Sequence, residues 1–560
     1  MDDRHAPTVT RRTLLGGAVT ALGAASALGT PTGARAAPAS PGAGAILSGA
    51  GQSVVKTTAG LVQGYARDGI HRFKGVPYGD DTGGANRFMP PAPPKPWSGI
   101  RSSLSYGLVA PQDKGNGRLS DEHAFIFQWN DSVEGEYCLR VNVWTPGLDG
   151  RQRPVMVWLH GGGFAAGSGN DLPAFDGHNL ARRGDVVVVT LNHRLNLLGF
   201  LDLSGIDPAF ARSGNVGMLD IVAALEWVRD NIAGFGGDPG RVTIFGQSGG
   251  GAKVSTLMAM PAARGLFHRA IVQSGSFSSA QTPERSRHLA DLMMRELGVA
   301  AGDVRRLQTL PYAQLRAAGE AALRRANPPA DGGFDPRRRP RFGFGPVADG
   351  SVLPSAPFAP DAPSVSAAVP MIVGTTLNEF ETGIARPDFE AMTEATLAER
   401  AEHSYPGRGA AVVAAFRAAA PGAKPCDIWS RIATAPVRRA AIDQTAAKAR
   451  QGGAPAWNYL FTRTPPLLDG RPRAYHCAEI PFVFANANRC PTMTGGGAPA
   501  AALEAIMADA WIAFAQSGNP NHPGMPRWDP VSTTAHATMI FDDHTRQEIA
   551  PDAAEQAALA

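Results

Sequence analysis

Ser248 stands in the setting most suggestive of chemistry. It occupies the centre of Gly246-Gln247-Ser248-Gly249-Gly250, a G-x-S-x-G pattern. A short apolar run (Val242, Ile244, Phe245) precedes it and a helix-like run, Gly251–Met260, follows. A serine on a sharp strand-to-helix turn has its Oγ lifted clear of the sheet. The start of the next helix adds unpaired N–H groups that favour negative charge. That is the setting of a nucleophile, although a Gly-rich turn with an incidental serine would fit the same five residues. Reading Gly246-x-x-x-x-Gly251 as a phosphate loop fails, because Ala252-Lys253-Val254 follows where Lys-Ser/Thr is required.

Acyl transfer through a serine also needs a base for its proton and donors for the developing oxyanion. Donors are suggested by His160-Gly161-Gly162-Gly163-Phe164, directly after the β-rich run Pro154–Leu159. Consecutive glycines let backbone N–H groups face a ligand without obstruction by Cβ. Gly162 and Gly163, with Gly249 after the serine, would make a hole of three donors. A base should follow the acid in the order Ser…acid…His. Glu379, shortly after the apolar run Pro370–Val373, is one candidate acid, with Asp349 and Glu381 as rivals. His476 is one candidate base, with His522, His536 and His544 as rivals. Spacing permits these roles without choosing among them.

Positioning such residues requires a framework, and the pattern supplies one. Val141–Trp144, Pro154–Leu159, Val186–Leu191, Arg241–Phe245, Ala270–Gln273, Pro370–Val373 and Trp457–Phe461 read as strands. The spacing of Val216, Leu219, Val222, Leu225 and Val228 predicts a helix over 215–232, and 503–516 reads as a late amphipathic helix. Alternation of the two implies an α/β fold with a large, mostly parallel sheet and helices on both faces. Residues 53–76 read as antiparallel strands with tight turns, and 385–450 as Ala-rich helical insertions. With no internal repeat or linker, 53–555 is expected to be a single domain.

Of the 560 residues, 44% are hydrophobic and 18% charged, as in a globular protein with ample core. The formal charge of +4 is small, and no Lys/Arg stripe is interleaved with aromatics, which argues against nucleic acid as a partner. Residues 1–36 resemble a Tat-type export signal: Arg11-Arg12, a Gly/Ala-rich apolar run and Ala34-Arg35-Ala36. That run, about 16 residues, falls short of the roughly 20 needed to span a bilayer, and no later stretch reads as long enough. The mature chain is therefore expected to be secreted, beginning with a flexible lead-in over 37–52, and to act as a monomer without a membrane span. Its four cysteines (Cys138, Cys426, Cys477 and Cys490) show no metal spacing. Cys477 and Cys490 could close a small loop or remain free.

The chain resembles the type B carboxylesterases of the α/β-hydrolase fold, the family of para-nitrobenzyl esterases and cholinesterases. Phe73-Lys74-Gly75-Val76-Pro77-Tyr78 is similar to its F-x-G-I-P-Y-A opening, and Glu136–Trp144 to its E-D-C-L-Y-L-N-V-W segment. Phe235-Gly236-Gly237-Asp238-Pro239 with Val242–Gly246 resembles F-G-G-D-P…V-T-I-F-G. Gly374–Glu379 resembles the segment around the family's acid, and His476–Phe482 its H-G-x-E-[IL]-P-[FY] segment. The resemblance thus implies Ser248, Glu379 and His476 as catalytic residues, with no metal or cofactor. It also implies a gorge walled by aromatics, for which Trp129 and Phe164 are candidate substrate contacts, with Phe125 and Phe127 beside them. The expected partners are a small ester, short-chain or aryl, and water. A non-catalytic adhesion domain of the same fold is the rival, weakened by the presence of serine, acid, histidine and hole glycines. Two departures stand out. The usual G-E-S-A-G is here G-Q-S-G-G, removing a charge beside the nucleophile and putting a flexible glycine after it. The family's partner to Cys138 would lie near Ala110-Pro111-Gln112, where no cysteine stands.

Overall fold

Seven parallel strands form the centre of the computed structural model, which describes residues 44–49, 51–113, 120–276, 280–328 and 343–560. The expected signal and half of the lead-in lie outside the described residues. The large sheet comprises β1 (Ile46–Leu47), β2 (Tyr65–Arg67), β3 (Ile70–Pro77), β4 (Arg140–Thr145), β5 (Arg153–Leu159) and β6 (Val187–Leu191), then β7 (Gly237–Gln247), β8 (Arg269–Gln273), β9 (Met371–Thr376), β10 (Ala456–Phe461), β11 (Ala537–Phe541) and β12 (Arg546–Ile549). Their spatial order is β1-β2-β3-β4-β6-β5-β7-β8-β9-β10-β11-β12. The run from β6 to β11 is parallel, whereas β4 meets β6, and β12 meets β11, antiparallel. A separate three-stranded sheet is built from Val54–Lys56, Leu61–Gln63 and Ile100–Ser102.

The central strands read as continuous apolar runs because both faces are covered. In β5, Val155, Val157 and Leu159 face one core, shared with Met218, Ile221 and Leu225 of helix α1 (Val216–Asn231) and Val254 and Leu257 of helix α2 (Gly249–Ala259). Met156 and Trp158 face the other core, shared with Met507, Trp511 and Phe514 of helix α3 (Gly497–Ser517). Each such side chain contributes roughly 1.5–3 kcal/mol when fully buried. By length and composition α3 could cross a membrane, contrary to the expectation of no such later stretch. Its Met507, Trp511 and Phe514 are nevertheless fully buried against the sheet, the placement of a core helix.

Parallel strands end on the same side, so the loops after β5, β7 and β9 meet along one sheet edge, where ligands of open α/β sheets bind. Those loops carry His160–Phe164, Ser248 and Glu379.

Candidate active site

Ser248 sits between β7 and α2 with φ 58° and ψ −125°, a backbone conformation costly for any residue with a side chain. Its N–H donates to the Gln273 carbonyl at 2.7 Å, which ties the bend to the neighbouring strand β8. Sequence dictates the tightness. A Cβ at Gly250 would fall 1.9 Å from the Leu159 carbonyl oxygen, so only glycine lets α2 start this close to β5.

The Glu379 and His476 loops are fastened by main chain. His476 N–H donates to the Glu379 carbonyl (2.8 Å) and Asn378 N–H to the Ala474 carbonyl (3.1 Å). In return, Ala474 N–H donates to Asn378 Oδ1 (3.2 Å). Glu379 is itself held, its Oε1 accepting from Thr376 N–H at 3.0 Å, while Oε2 takes a short hydrogen bond from His476 Nδ1. The carboxylate thereby places the ring proton on Nδ1 and leaves Nε2 as the basic nitrogen. The Phe380 ring lies against the imidazole, with centroids 4.0 Å apart. Gln247 Nε2 stands 3.3 Å from Nδ1 and 3.2 Å from Nε2, and its Oε1 accepts from the Cys477 thiol at 3.1 Å. Cys477 adopts φ 79°, a region favoured by the glycine that the family pattern carries there. Among the described residues Ser248 Oγ has no hydrogen-bond partner.

Both Gly162 and Gly163 adopt positive φ, 86° and 64°, and a Cβ on Gly162 would meet the Ala166 carbonyl at 2.3 Å. Among the described residues, no acceptor takes the N–H of Gly162, Gly163 or Gly249. With Ser248 and His476, Gly162 and Gly163 line one cavity of about 590 Å³.

That cavity accounts for some of the aromatic candidates. Trp129 lines it and stacks on Phe127 at 4.9 Å, and Phe127 meets Tyr475 edge-on at 5.7 Å. Phe164 does not line it: its ring turns inward and packs edge-on against Phe200 at 5.3 Å. Phe125 is exposed and lies outside the lining as well. Tyr475, Phe380, Phe175 and Ile384 complete the apolar wall. The first two flank His476 and Glu379 in sequence, a signal that could have found them. No lysine or arginine is among the described lining residues, whereas Asp113 and Asp171 are.

The rival acids and bases are engaged elsewhere. Asp349 accepts from Asn215 (2.9 Å) and Glu381 from Arg386 (3.1 Å). His522 is bonded to the Ile506 carbonyl and His536 to Thr445, both at 3.0 Å. His544 also lies outside the cavity lining. Behind His476, burial and the Glu379 charge push the Glu479 carboxyl up to about 7, where its Oε1 accepts from Gln273 at 3.2 Å. All four cysteines are free, so no Cys477–Cys490 loop is closed. Burial raises the Cys477 thiol well above its ordinary range, leaving little thiolate. Among the described residues no cluster could hold a metal ion.

Comparison with known proteins identifies the family and the fold. Residues 51–558 match the model of the carboxylesterase family. The para-nitrobenzyl esterase of Bacillus subtilis (strain 168) is 33% identical over 519 residues, covering 90% of this chain and 98% of that protein. The phenmedipham hydrolase of Pseudarthrobacter oxydans is 33% identical over 522 residues, covering 90% and 97%. Among solved structures, an esterase from Clostridium hathewayi that can hydrolyse aliphatic aromatic polyesters aligns with TM-score 0.78 and 36% identity, over 92% of this chain and 99% of that one. A Geobacillus stearothermophilus carboxylesterase aligns with TM-score 0.74 and 33% identity, over 91% and 100%. With this agreement over nearly its whole described length, the chain belongs to the carboxylesterase family and has the α/β-hydrolase fold.

Proposed function

We propose that this carboxylesterase cleaves short-chain or aryl esters through an acyl-enzyme formed on Ser248. The observation that carries the reading is convergence: the strained serine, the Glu379-bonded imidazole and the unpaired glycine N–H groups of the neighbouring turn face one cavity. His476 Nε2 takes the Ser248 proton as Oγ attacks the ester carbonyl, and the N–H groups of Gly162, Gly163 and Gly249 receive the oxyanion. The imidazolium returns its proton to the departing alcohol, and Glu379 stabilises it meanwhile. Water, deprotonated by the same imidazole, then releases the acid. Attack needs Ser248 Oγ to swing toward Nε2, an adjustment expected as such contacts tighten when substrate binds.

Substrate class follows from the wall. Stacked Trp129 and Phe127, with Tyr475, Phe175 and Ile384, offer an apolar surface to a flat acyl or alcohol group. A relative named for para-nitrobenzyl esters and a structural neighbour described as hydrolysing aliphatic aromatic polyesters support an aryl preference. Export by the twin-arginine signal is part of the same proposal, supported by Arg11-Arg12 and Ala34-Arg35-Ala36, and is checked by the N-terminus of the protein recovered outside the cell.

The test is labelling by an organophosphate, with the modified residue identified by mass spectrometry, beside a panel of p-nitrophenyl esters of rising acyl length. Stoichiometric labelling of Ser248 and turnover of acetate and butyrate esters are expected. A chain that neither labels nor turns over any ester would return the adhesion reading to the front.

A further inference from the structure

We infer that Lys253 and His160 are positioning residues that orient the Gly161 and Gly162 amide groups of the glycine turn toward the cavity, an inference that rests on the esterase reading above. Three successive glycines leave that turn no side chain of its own to hold it, and a glycine peptide can rotate at small cost. The Gly162 carbonyl is tied by Ala165 and Ala166 N–H (3.2 and 3.0 Å), which leaves the two peptides before it to be set from behind the turn.

Two buried groups do so. Lys253, five residues after Ser248 on α2, is fully buried, and its Nζ donates to the His160 carbonyl at 2.9 Å. The His160 ring is also buried, with Nδ1 2.8 Å from the Gly161 carbonyl. A carbonyl only accepts, so Nδ1 carries the proton. The His160 ring stacks on His193 at 5.2 Å, and its Nε2 has no partner among the described residues, so Gly161 is where the ring's hydrogen bonding is spent.

A trans peptide unit is planar, with C=O and N–H pointing opposite ways. Fixing the His160 oxygen against Lys253 therefore sets the Gly161 N–H, and fixing the Gly161 oxygen against the His160 ring sets the Gly162 N–H. Both oxygens are held from the buried side. The Gly161 and Gly162 N–H groups consequently point away from those anchors, and both glycines line the cavity. Because Lys253 belongs to the helix that opens on Ser248 and Gly249, the same bond ties the donors from β5 to the nucleophile from β7.

Burial pushes the Lys253 amine down to about 7, opposed by the Asp171 charge; His160 and His193 face the same space and are themselves driven well below their ordinary values by burial. Amine and ammonium both donate, so the tether survives across that range. Burying an amine is costly, and an apolar side chain would spare the fold that cost. A residue kept only for packing would not be a lysine.

The test is Lys253→Met in the full chain, a change that conserves volume and removes the donor. With p-nitrophenyl acetate, kcat should fall roughly 10- to 100-fold, because small misplacements of oxyanion donors are costly, while KM stays within about 3-fold. An aryl trifluoromethyl ketone, which forms a hemiketal oxyanion on Ser248, should lose affinity by the same factor, and the melting temperature should not drop. His160→Asn, which keeps a donor near Nδ1, should retain more activity than His160→Phe. Lys253→Met with unaltered kcat and unaltered ketone affinity would overturn the inference. So would a loss explained wholly by unfolding, with the folded fraction binding the ketone normally. If the unaltered protein itself fails to hydrolyse esters and to label at Ser248, the esterase reading falls first and the inference falls with it.

Discussion

Replacing Gly249 by alanine should lower kcat about 100-fold while leaving the fold intact. An ideal Cβ at this position would stand 2.3 Å from the Gly163 carbonyl oxygen and 2.4 Å from its Cα and its N. Ordinary contact begins near 3.4 Å. The turn carrying Gly162 and Gly163 must then retreat by about 1 Å, and a displacement of that size in a positioned group can cost about 10²-fold. In free energy this is about 2.7 kcal/mol of lost transition-state stabilisation. Backbone propensity works in the opposite sense, since alanine in a helix is favoured over glycine by about 0.5–1 kcal/mol. The expected signature is therefore divergent: kcat drops, KM for p-nitrophenyl acetate changes little, and the melting temperature holds or rises. Steady-state kinetics with a thermal scan on the same preparation reads both. Alanine is usual at this place in the family pattern, so the claim is specific to how closely this turn approaches. A Gly249→Ala protein with kcat within 3-fold of the parent would show that the turn can shift freely, and the steric reasoning would be wrong.

Three further outcomes follow from the same geometry. Ser248→Ala and His476→Ala should each lower kcat by about 10⁴–10⁶ without changing the melting temperature by more than a few degrees, read with p-nitrophenyl acetate. Gln247→Glu puts a negative charge about 3 Å from the imidazole, favours its protonated form and should move the acidic limb of the kcat/KM profile up by on the order of one pH unit; an unmoved limb would refute the contact. The Lys253 amine titrates near 7 in the folded chain and near 10.4 in an unfolded one. Between those values the unfolded state binds the extra proton, so this group's contribution makes stability rise with pH, and below about 7 its penalty is complete and flat. Lys253→Met should therefore gain more stability over the parent at pH 7 than at pH 10 by urea denaturation.

The strained serine bend and its glycine turns were legible in the sequence because their constraints are local. Close backbone approach at Gly250 and positive φ at Gly162 leave a signature a few residues wide. The proposed acid and base were not so readable from spacing. Glu379 and His476 are 97 positions apart and meet only because main-chain bonds join the loop after β9 to the loop beyond β10, a contact no periodicity encodes. Resemblance, not pattern, singled them out over Asp349, Glu381 and the late histidines. Phe164 misled for a related reason: adjacency to the glycine turn suggested the cavity, but the chain's direction after the turn carries its ring to Phe200. Lys253 gave no signal, since one lysine in an apolar helix normally reads as a solvated position. The sheet was easier, because strands covered on both faces write themselves as unbroken apolar runs, as Val187–Leu191 does.

The bonds between the Asn378–Glu379 and Ala474–His476 loops divide the labour of the molecule. On the proposed mechanism, proton handling belongs to one bracket clamped by its own peptide groups, whereas Phe127 and Trp129 hang on a different stretch of polypeptide. On that mechanism, the Phe127–Trp129 side of the lining can thus be recarved for bulkier or slimmer esters with less risk to the acid–base pair than the Phe380–Tyr475 side, which shares its loops.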